Sequence, residues 1–323
     1  MPGPVARADD LQRRRRVLGF PVAVVYKFFD DQGNYLAAVL TYYAFMTIFP
    51  LLLIASSVLG FLLQGNPQLE ETILSSALGQ FPIVGTQLGR PEGLQGSASA
   101  VVVGVLASLY GITNLGQAAQ NTLNVTWGVP RNSRLNPVRG RLRSLALLVL
   151  GGVAVLVVAV LPTLFGRIGL GEDGVLLRVL SGVASVTLSA MVLAGLMKLA
   201  SADRKRLRQV LPGASVISLL WHVLQWLGGV YVSEVINRAS QMNSVFALVL
   251  GLFALIYVAS VIGVLGIEVN VVWAKRLFPR ALLTPFTDEV ELTEADRRVY
   301  TEYAQAQRHK GFEKVTVTFD QRE

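Results

Sequence analysis

The chain alternates long uncharged stretches with short charged links. Residues 32–69, 93–130, 144–166, 179–197, 209–233 and 239–267 contain no Asp, Glu, Lys or Arg, and each supplies the about 20 residues that a helix needs to cross a bilayer. This pattern predicts six membrane-spanning helices, over 35–63, 97–124, 145–165, 175–197, 210–232 and 244–273. Ahead of them, 17–30 is apolar but short, interrupted by Pro21 and carrying Lys27, so it predicts a helix lying in the interface. It lacks the unbroken apolar core and small-residue cleavage site of a signal peptide. Between the first two spans, Leu69, Ile73, Leu74, Leu78 and Phe81 recur at helical spacing and predict a short amphipathic helix over 66–81. Beyond 275, residues 293–307 predict a helix opened by a Thr293/Asp296 capping pattern, and 315–319 alternates as a strand would. Within the spans, Gly104 with Ser108, Ala107 with Gly111 and Ala259 with Gly263 have the small-residue spacing that lets helices approach closely.

Composition agrees with the pattern: of 323 residues, 52% are hydrophobic and only 15% charged, a balance foreign to soluble proteins. With no Cys and only His222 and His309, a disulfide framework, a catalytic thiol and a histidine metal centre are all disfavoured. The net charge of +8 changes the picture through its distribution. Arg90, Arg167, Arg178 and Arg238 fall in one set of links, and every other Lys and Arg falls on the opposite side. That is the positive-inside asymmetry of a six-span protein with both termini in the cytoplasm. The fold class is therefore all-α: a polytopic membrane helix bundle. Residues 1–34 form a basic cytoplasmic N-terminus and interfacial helix, 35–274 the membrane domain and 275–323 a cytoplasmic tail. Arg13, Arg14, Arg15 and Arg16 are placed to meet anionic inner-leaflet lipid, or simply to anchor the topology.

Polar groups inside the spans are the candidates for function, because burying them in a membrane is costly. Glu268 is the acid among them, about 7–10 Å below the interface, a depth at which water is expected to reach it. It reads as a proton, cation or substrate contact, or as a structural carboxylate bonded to neighbouring helices. Asn114, Gln117, Asn121 and Asn124 share one face of the second span, with Gln120 beside them, and this amide face is expected to point into the bundle. With Tyr42, Tyr43 and Thr47 of the first span it outlines a polar zone opening toward the cytoplasm, built from spans one, two and six. The competing reading is interhelical hydrogen-bond glue. His222 reads first as a neutral ring bonded to a partner helix, and second as a proton relay. There is no phosphate-binding glycine loop, zinc-protease pattern or acid cluster for two-metal hydrolysis, so no cofactor, no metal and no nucleic-acid partner is expected.

Four segments carry a family resemblance. Residues 41–52, Thr-Tyr-Tyr-Ala-Phe-Met-Thr-Ile-Phe-Pro-Leu-Leu, resemble the first-span signature of the YihY/virulence factor BrkB family, formerly called ribonuclease BN. Residues 121–127 (Asn-Thr-Leu-Asn-Val-Thr-Trp) are similar to the end of its second span. Residues 211–214 (Leu-Pro-Gly-Ala) are similar to the start of its fifth, and 265–270 (Leu-Gly-Ile-Glu-Val-Asn) to a sixth-span segment. The resemblance implies a bacterial inner-membrane protein, multi-pass, and not an enzyme: the ribonuclease name resembles a misassignment. A relative implicated in moving lipid precursors implies a permease or flippase-like transporter of a lipid or other amphiphile. Its substrate-binding residues would be Glu268, Asn121, Gln117, Asn124, Tyr42 and Tyr43, in a cytoplasm-facing cavity with membrane lipids as partners. The alternative is a non-transporting scaffold that binds partners through its basic loops and tail. A homo-oligomer stays open.

Overall fold

Apolar runs uninterrupted by charge leave a backbone no partner but itself, and helices are the result. The computed structural model of the chain describes residues 4–62, 98–167, 175–202, 205–236 and 241–320. Two short helices, α1 (Pro4–Arg14) and α2 (Arg16–Asp30), precede six long ones: α3 (Gly33–Leu62), α4 (Ala98–Thr126), α5 (Pro137–Arg167), α6 (Val175–Ala200), α7 (Leu207–Tyr231) and α8 (Gln241–Lys275). A last helix, α9 (Glu294–Ala306), lies in the tail. Five of the long helices match the expected spans to within three residues at each end, and α5 begins eight residues before the expected 145. Among the described residues three of them, over Val179–Ala200, Leu207–Glu234 and Phe246–Lys275, are long and apolar enough to cross a membrane. The expected helix at 66–81 lies outside the described residues.

Each long helix packs on the next, and α8 returns to α3, so the six close into a ring, with α4 also reaching α6 and α8 across it. Close approach is set by small residues. A Cβ at Gly213 of α7 would strike the Gly266 carbonyl of α8, and one at Gly266 would strike Ile217. Asn270 reinforces this crossing by accepting from the Gly213 N–H at 2.7 Å. Gly111 meets Thr47 where α4 crosses α3, and Gly116 meets Ser144 where α4 crosses α5. Gly263, by contrast, faces open space, so the Ala259/Gly263 spacing marks no crossing at that glycine.

The core is concentrated at one end of the ring, where Ala23 and Val24 of α2 pack with Leu123, Trp127, Val210, Ala214, Ile267, Val271 and Val299. α2 buries Ala23, Val24, Lys27 and Phe28 and leaves Val17, Leu18, Val25 and Phe29 exposed, the disposition of a helix with one face on protein and the other in an interface. The outer faces of the long helices are apolar and open, as at Tyr110, Val149, Trp226, Phe246 and Leu250, and a continuous surface of this kind belongs in lipid rather than water.

The tail is bolted to the N-terminal helices. Arg280, almost wholly buried, pairs with Asp296 and, at 2.8 Å, with Asp30. Gln12 donates to the Arg280 carbonyl, Tyr26 to the Leu282 carbonyl, and the Leu282 N–H to Asp9 at 3.0 Å. Thr293 and Asp296 form the expected capping box of α9, with Asp296 doing double duty as the Arg280 partner. The expected strand at 315–319 is corrected: the segment forms no ladder, although Val315, Val317 and Phe319 are half-buried and Thr316 and Thr318 exposed. The alternation is present in its burial, and Arg297 stacks over Phe319 at 5.9 Å, but among the described residues no neighbouring strand pairs with it.

Candidate functional site

Construction of the site begins at the end of α4. Gly128, at φ +62, stops the helix in a left-handed turn. The Val129 N–H bonds the Asn124 carbonyl at 2.8 Å and the Gly128 N–H the Val125 carbonyl at 2.9 Å, the paired closure of a Schellman motif. Two lysines finish the cap: Lys27 donates to the Thr126 carbonyl at 3.3 Å and Lys275 to the Trp127 carbonyl at 2.9 Å, each placed where the helix dipole favours a cation. Lys275 also pairs with Glu302 of α9 at 2.7 Å.

Lys27 is the hub. Its ammonium pairs with Asp31 one turn on and lies 3.9 Å from Glu268. Burial pushes Lys27 downward, but the carboxylates of Glu268 and Asp31 outweigh it and hold the group above its ordinary value. Asp31 is pushed up, because burial outweighs the pull of Lys27. Glu268 is fully enclosed and neither of its oxygens meets a donor at hydrogen-bond distance. The expectation that water reaches Glu268 is thereby corrected. Depth along α8 alone left that end open, whereas α2 folds across it and caps the carboxylate with Lys27.

In front of the hub is a cleft of about 350 Å³, bordered by Lys27, Asp31, Tyr35, Asn121, Arg131 and Arg134, with Glu302 and Tyr303 of α9 on the far wall. Arg134 is oriented by its own neighbours, donating to the Asn121 side chain at 3.1 Å and to the Val129 carbonyl at 3.2 Å. Three cations against two acids make the cleft suited to a small anionic or zwitterionic group.

Of the six residues expected to bind substrate, Asn121 alone borders this cleft. Glu268 lies behind it, screened by Lys27. Asn124 is buried, with its side-chain oxygen unpartnered. Tyr42 is exposed and makes an edge-to-face contact with half-buried Tyr43, ring centroids 5.1 Å apart. Gln117 is half-buried one turn from Asn121. The amide face does not point wholly into the bundle. Asn114 bonds back to the Tyr110 carbonyl at 2.9 Å, and Tyr110, Asn114, Gln117 and Asn121, at steps of four, three and four, make a stripe that is exposed at both ends. On α3, Tyr35, Val39, Tyr42 and Met46 form a second stripe, exposed throughout. Both stripes reach the cleft, through Asn121 and Tyr35. Gln120 is the interhelical glue, donating to Ser144 at 2.7 Å. His222 donates from Nδ1 to the Ser218 carbonyl at 2.8 Å and its Nε2 meets the Ser185 hydroxyl at 3.2 Å, as a structural histidine would.

Sequence reasoning missed Asp31, Arg131 and Arg134. The two arginines were absorbed into the topology count. Lys27 with Asp31 did carry a signal: an ion pair at i,i+4 at the end of an apolar helix needs a buried counterpart, and Glu268 supplies it.

The family model for virulence factor BrkB matches residues 24–287, a range that holds the Lys27–Glu268 cluster, the cleft arginines and Arg280. The ribonuclease-like protein YfkH of Bacillus subtilis (strain 168) is 25% identical over 265 residues, covering 76% of this chain and 91% of that protein. No solved structure matches the chain significantly. With four-fifths of its length under one family match and an apolar helical bundle beneath it, the chain is an integral membrane protein and belongs to the virulence factor BrkB family.

Proposed function

We propose that the chain crosses the bacterial inner membrane six times, with both termini in the cytoplasm, and moves a lipid or similar amphiphile between leaflets. The head group is captured in the cleft between Arg131, Arg134 and Lys27. The observation that carries this reading is the amide stripe on α4, which leaves the cleft at Asn121 and continues through Gln117 and Asn114 to Tyr110. Polar side chains at the protein–lipid boundary are costly without a purpose. Here they give a head group a hydrogen-bonded track while the acyl chains stay among exposed apolar residues such as Val39 and Met46 of α3. The cleft holds a head group and little more, so a whole lipid need never be swallowed.

Arg134 acts as the head-group contact and Asn121 orients it, while Lys27, tied to Asp31 and Glu268, fixes the back wall of the cleft. No step calls for a bond to be made or broken. The test is reconstitution into vesicles carrying fluorescent phospholipid in both leaflets, with an added reductant quenching the outer leaflet only. Movement of lipid by the wild-type protein, lost in Arg134→Gln and Gln117→Leu but with normal folding, supports the reading. No movement above empty vesicles contradicts it.

The docked tail favours a second reading. α9 walls the cleft with Glu302 and Tyr303, and the Arg280 bolt fixes it to α2, as a scaffold that presents its basic face to a protein partner would require. In that case the vesicle assay is silent and Arg134→Gln weakens partner binding instead.

A further inference from the structure

A second groove, of about 1260 Å³, lies at the other end of α2 from the cleft. It gathers Arg13, Arg14 and Arg16 from the N-terminal helices, Arg208 from the start of α7 and Arg276 from the end of α8, beside Val17, Phe20 and Trp273, and its lining includes no Asp or Glu. Arg13 is already committed to Asp9 at 2.7 Å. Arg14, Arg16, Arg208 and Arg276 are exposed, and none has an acidic partner among the described residues. Like charges drawn from separate elements repel one another unless an anion sits between them.

Arg276 supplies an independent observation. It occupies the left-handed closing position of α8, at φ +54, where the Leu277 N–H bonds the Val272 carbonyl at 3.1 Å. Glycine is the usual residue there because a Cβ is strained. An arginine stands at a position that local geometry would give to glycine, and it borders the groove. The other edge of the groove is apolar and open: Val17 is 83% exposed and Trp273 55%. An aliphatic and aromatic edge of this kind suits acyl chains at a membrane interface and would be idle for a soluble phosphate.

We propose that this groove binds an anionic phospholipid of the surrounding leaflet. Arg208 and Arg276 hold its phosphate, Arg14 and Arg16 add their field, and its chains lie along Val17, Phe20 and Trp273. The site is separate from the cleft, and the lipid it holds anchors α2 and the tail to the bundle at the membrane surface rather than being carried across.

The test is native mass spectrometry of the full chain in mild detergent, titrated separately with phosphatidylglycerol, cardiolipin, phosphatidylcholine and inorganic phosphate. The wild-type protein is expected to retain the anionic lipids over phosphatidylcholine. The double variant Arg208→Gln/Arg276→Gln weakens that retention by on the order of tenfold or more, at the field strength typical of basic residues near lipid. Arg276→Gly separates binding from folding: it relieves the strained backbone, so thermal stability holds or rises, while anionic-lipid retention falls by roughly fivefold. Arg134→Gln removes only lipid held in the cleft, so the further loss caused by Arg208→Gln/Arg276→Gln persists in its background. Equal retention of phosphatidylcholine, unchanged retention in the double variant, or displacement of lipid by inorganic phosphate alone overturns the proposal.

Discussion

Lys27 and Glu268 face each other at 3.9 Å, both closed to solvent. This contact fastens α2 to the last long helix of the bundle. With Asp31 on the same ammonium, the cluster is the back wall of the cleft and the reason α2 lies where it does.

Breaking the cluster from its two sides has unequal consequences. Lys27→Met leaves two buried carboxyls without a cation, which costs about 3–5 kcal/mol. Glu268→Gln keeps the shape and leaves Lys27 paired with Asp31, a loss of about 1 kcal/mol. Thermal unfolding in detergent should rank Lys27→Met well below Glu268→Gln, with the double variant recovering part of the difference. Equal destabilisation by the two single variants would mean that the charges are independent.

Asp31 gives the docking of α2 an uncommon pH dependence. Its carboxyl is raised by burial against the pull of Lys27, so the folded state binds that proton more tightly than the unfolded chain does. The penalty is full above the raised folded value and is relieved as pH falls from there toward the ordinary value of about 3.9. Lys27, held above its own ordinary value, stays charged throughout that window and contributes nothing to the slope. Hydrogen exchange of α2 amides, corrected for the intrinsic rate, should slow in mild acid, and Asp31→Asn should weaken the trend.

The α7–α8 crossing sets a contrast among glycines. Gly213→Ala drives a methyl into the Gly266 carbonyl, and the strain expected of overpacking is about 1–3 kcal/mol. Gly263→Ala meets nothing within 4 Å and should be neutral or slightly stabilising, since alanine is the better helix former. Melting temperatures of the two variants decide it, and parity between them would contradict the close crossing.

The Arg280 bolt is open to direct attack. Arg280→Met uncouples Asp30 and Asp296, and two buried or half-buried carboxylates lose their cation, at about 3–5 kcal/mol for the local structure. Limited proteolysis should then cut within 281–293 much faster than in the wild-type protein, while the long helices stay intact. Unchanged cleavage would show that the tail is held by something other than Arg280.

The helices were legible in the sequence because uncharged runs of span length have one physical solution in lipid, and the long helices follow those runs closely. Thr293 with Asp296 was legible as a cap because capping is local. The site was legible only in part. Glu268 and the amide stripe stood out as polar groups in apolar surroundings, but their partners come from α2, the 131–134 link and the tail, where charge is unremarkable by composition. The buried state of Glu268 depends on how α2 folds over α8, and the role of Arg280 depends on a contact with Asp30 at the far side of the chain. No periodicity encodes either. The alternation at 315–319 appears in burial without a strand, since a strand is a property of two segments.

Head-group transport as proposed requires that the cleft at Asn121 open to the cytoplasm. The natural chain has no Cys, so Asn121→Cys introduces a single reactive site, and labelling with a membrane-impermeant thiol reagent in right-side-out and inverted vesicles reads its access directly. The prediction is rapid labelling in inverted vesicles, almost none in right-side-out vesicles, and slower labelling when a short-chain phospholipid is added. Labelling from the outer side, or labelling from the inner side that added lipid leaves untouched, would contradict the account.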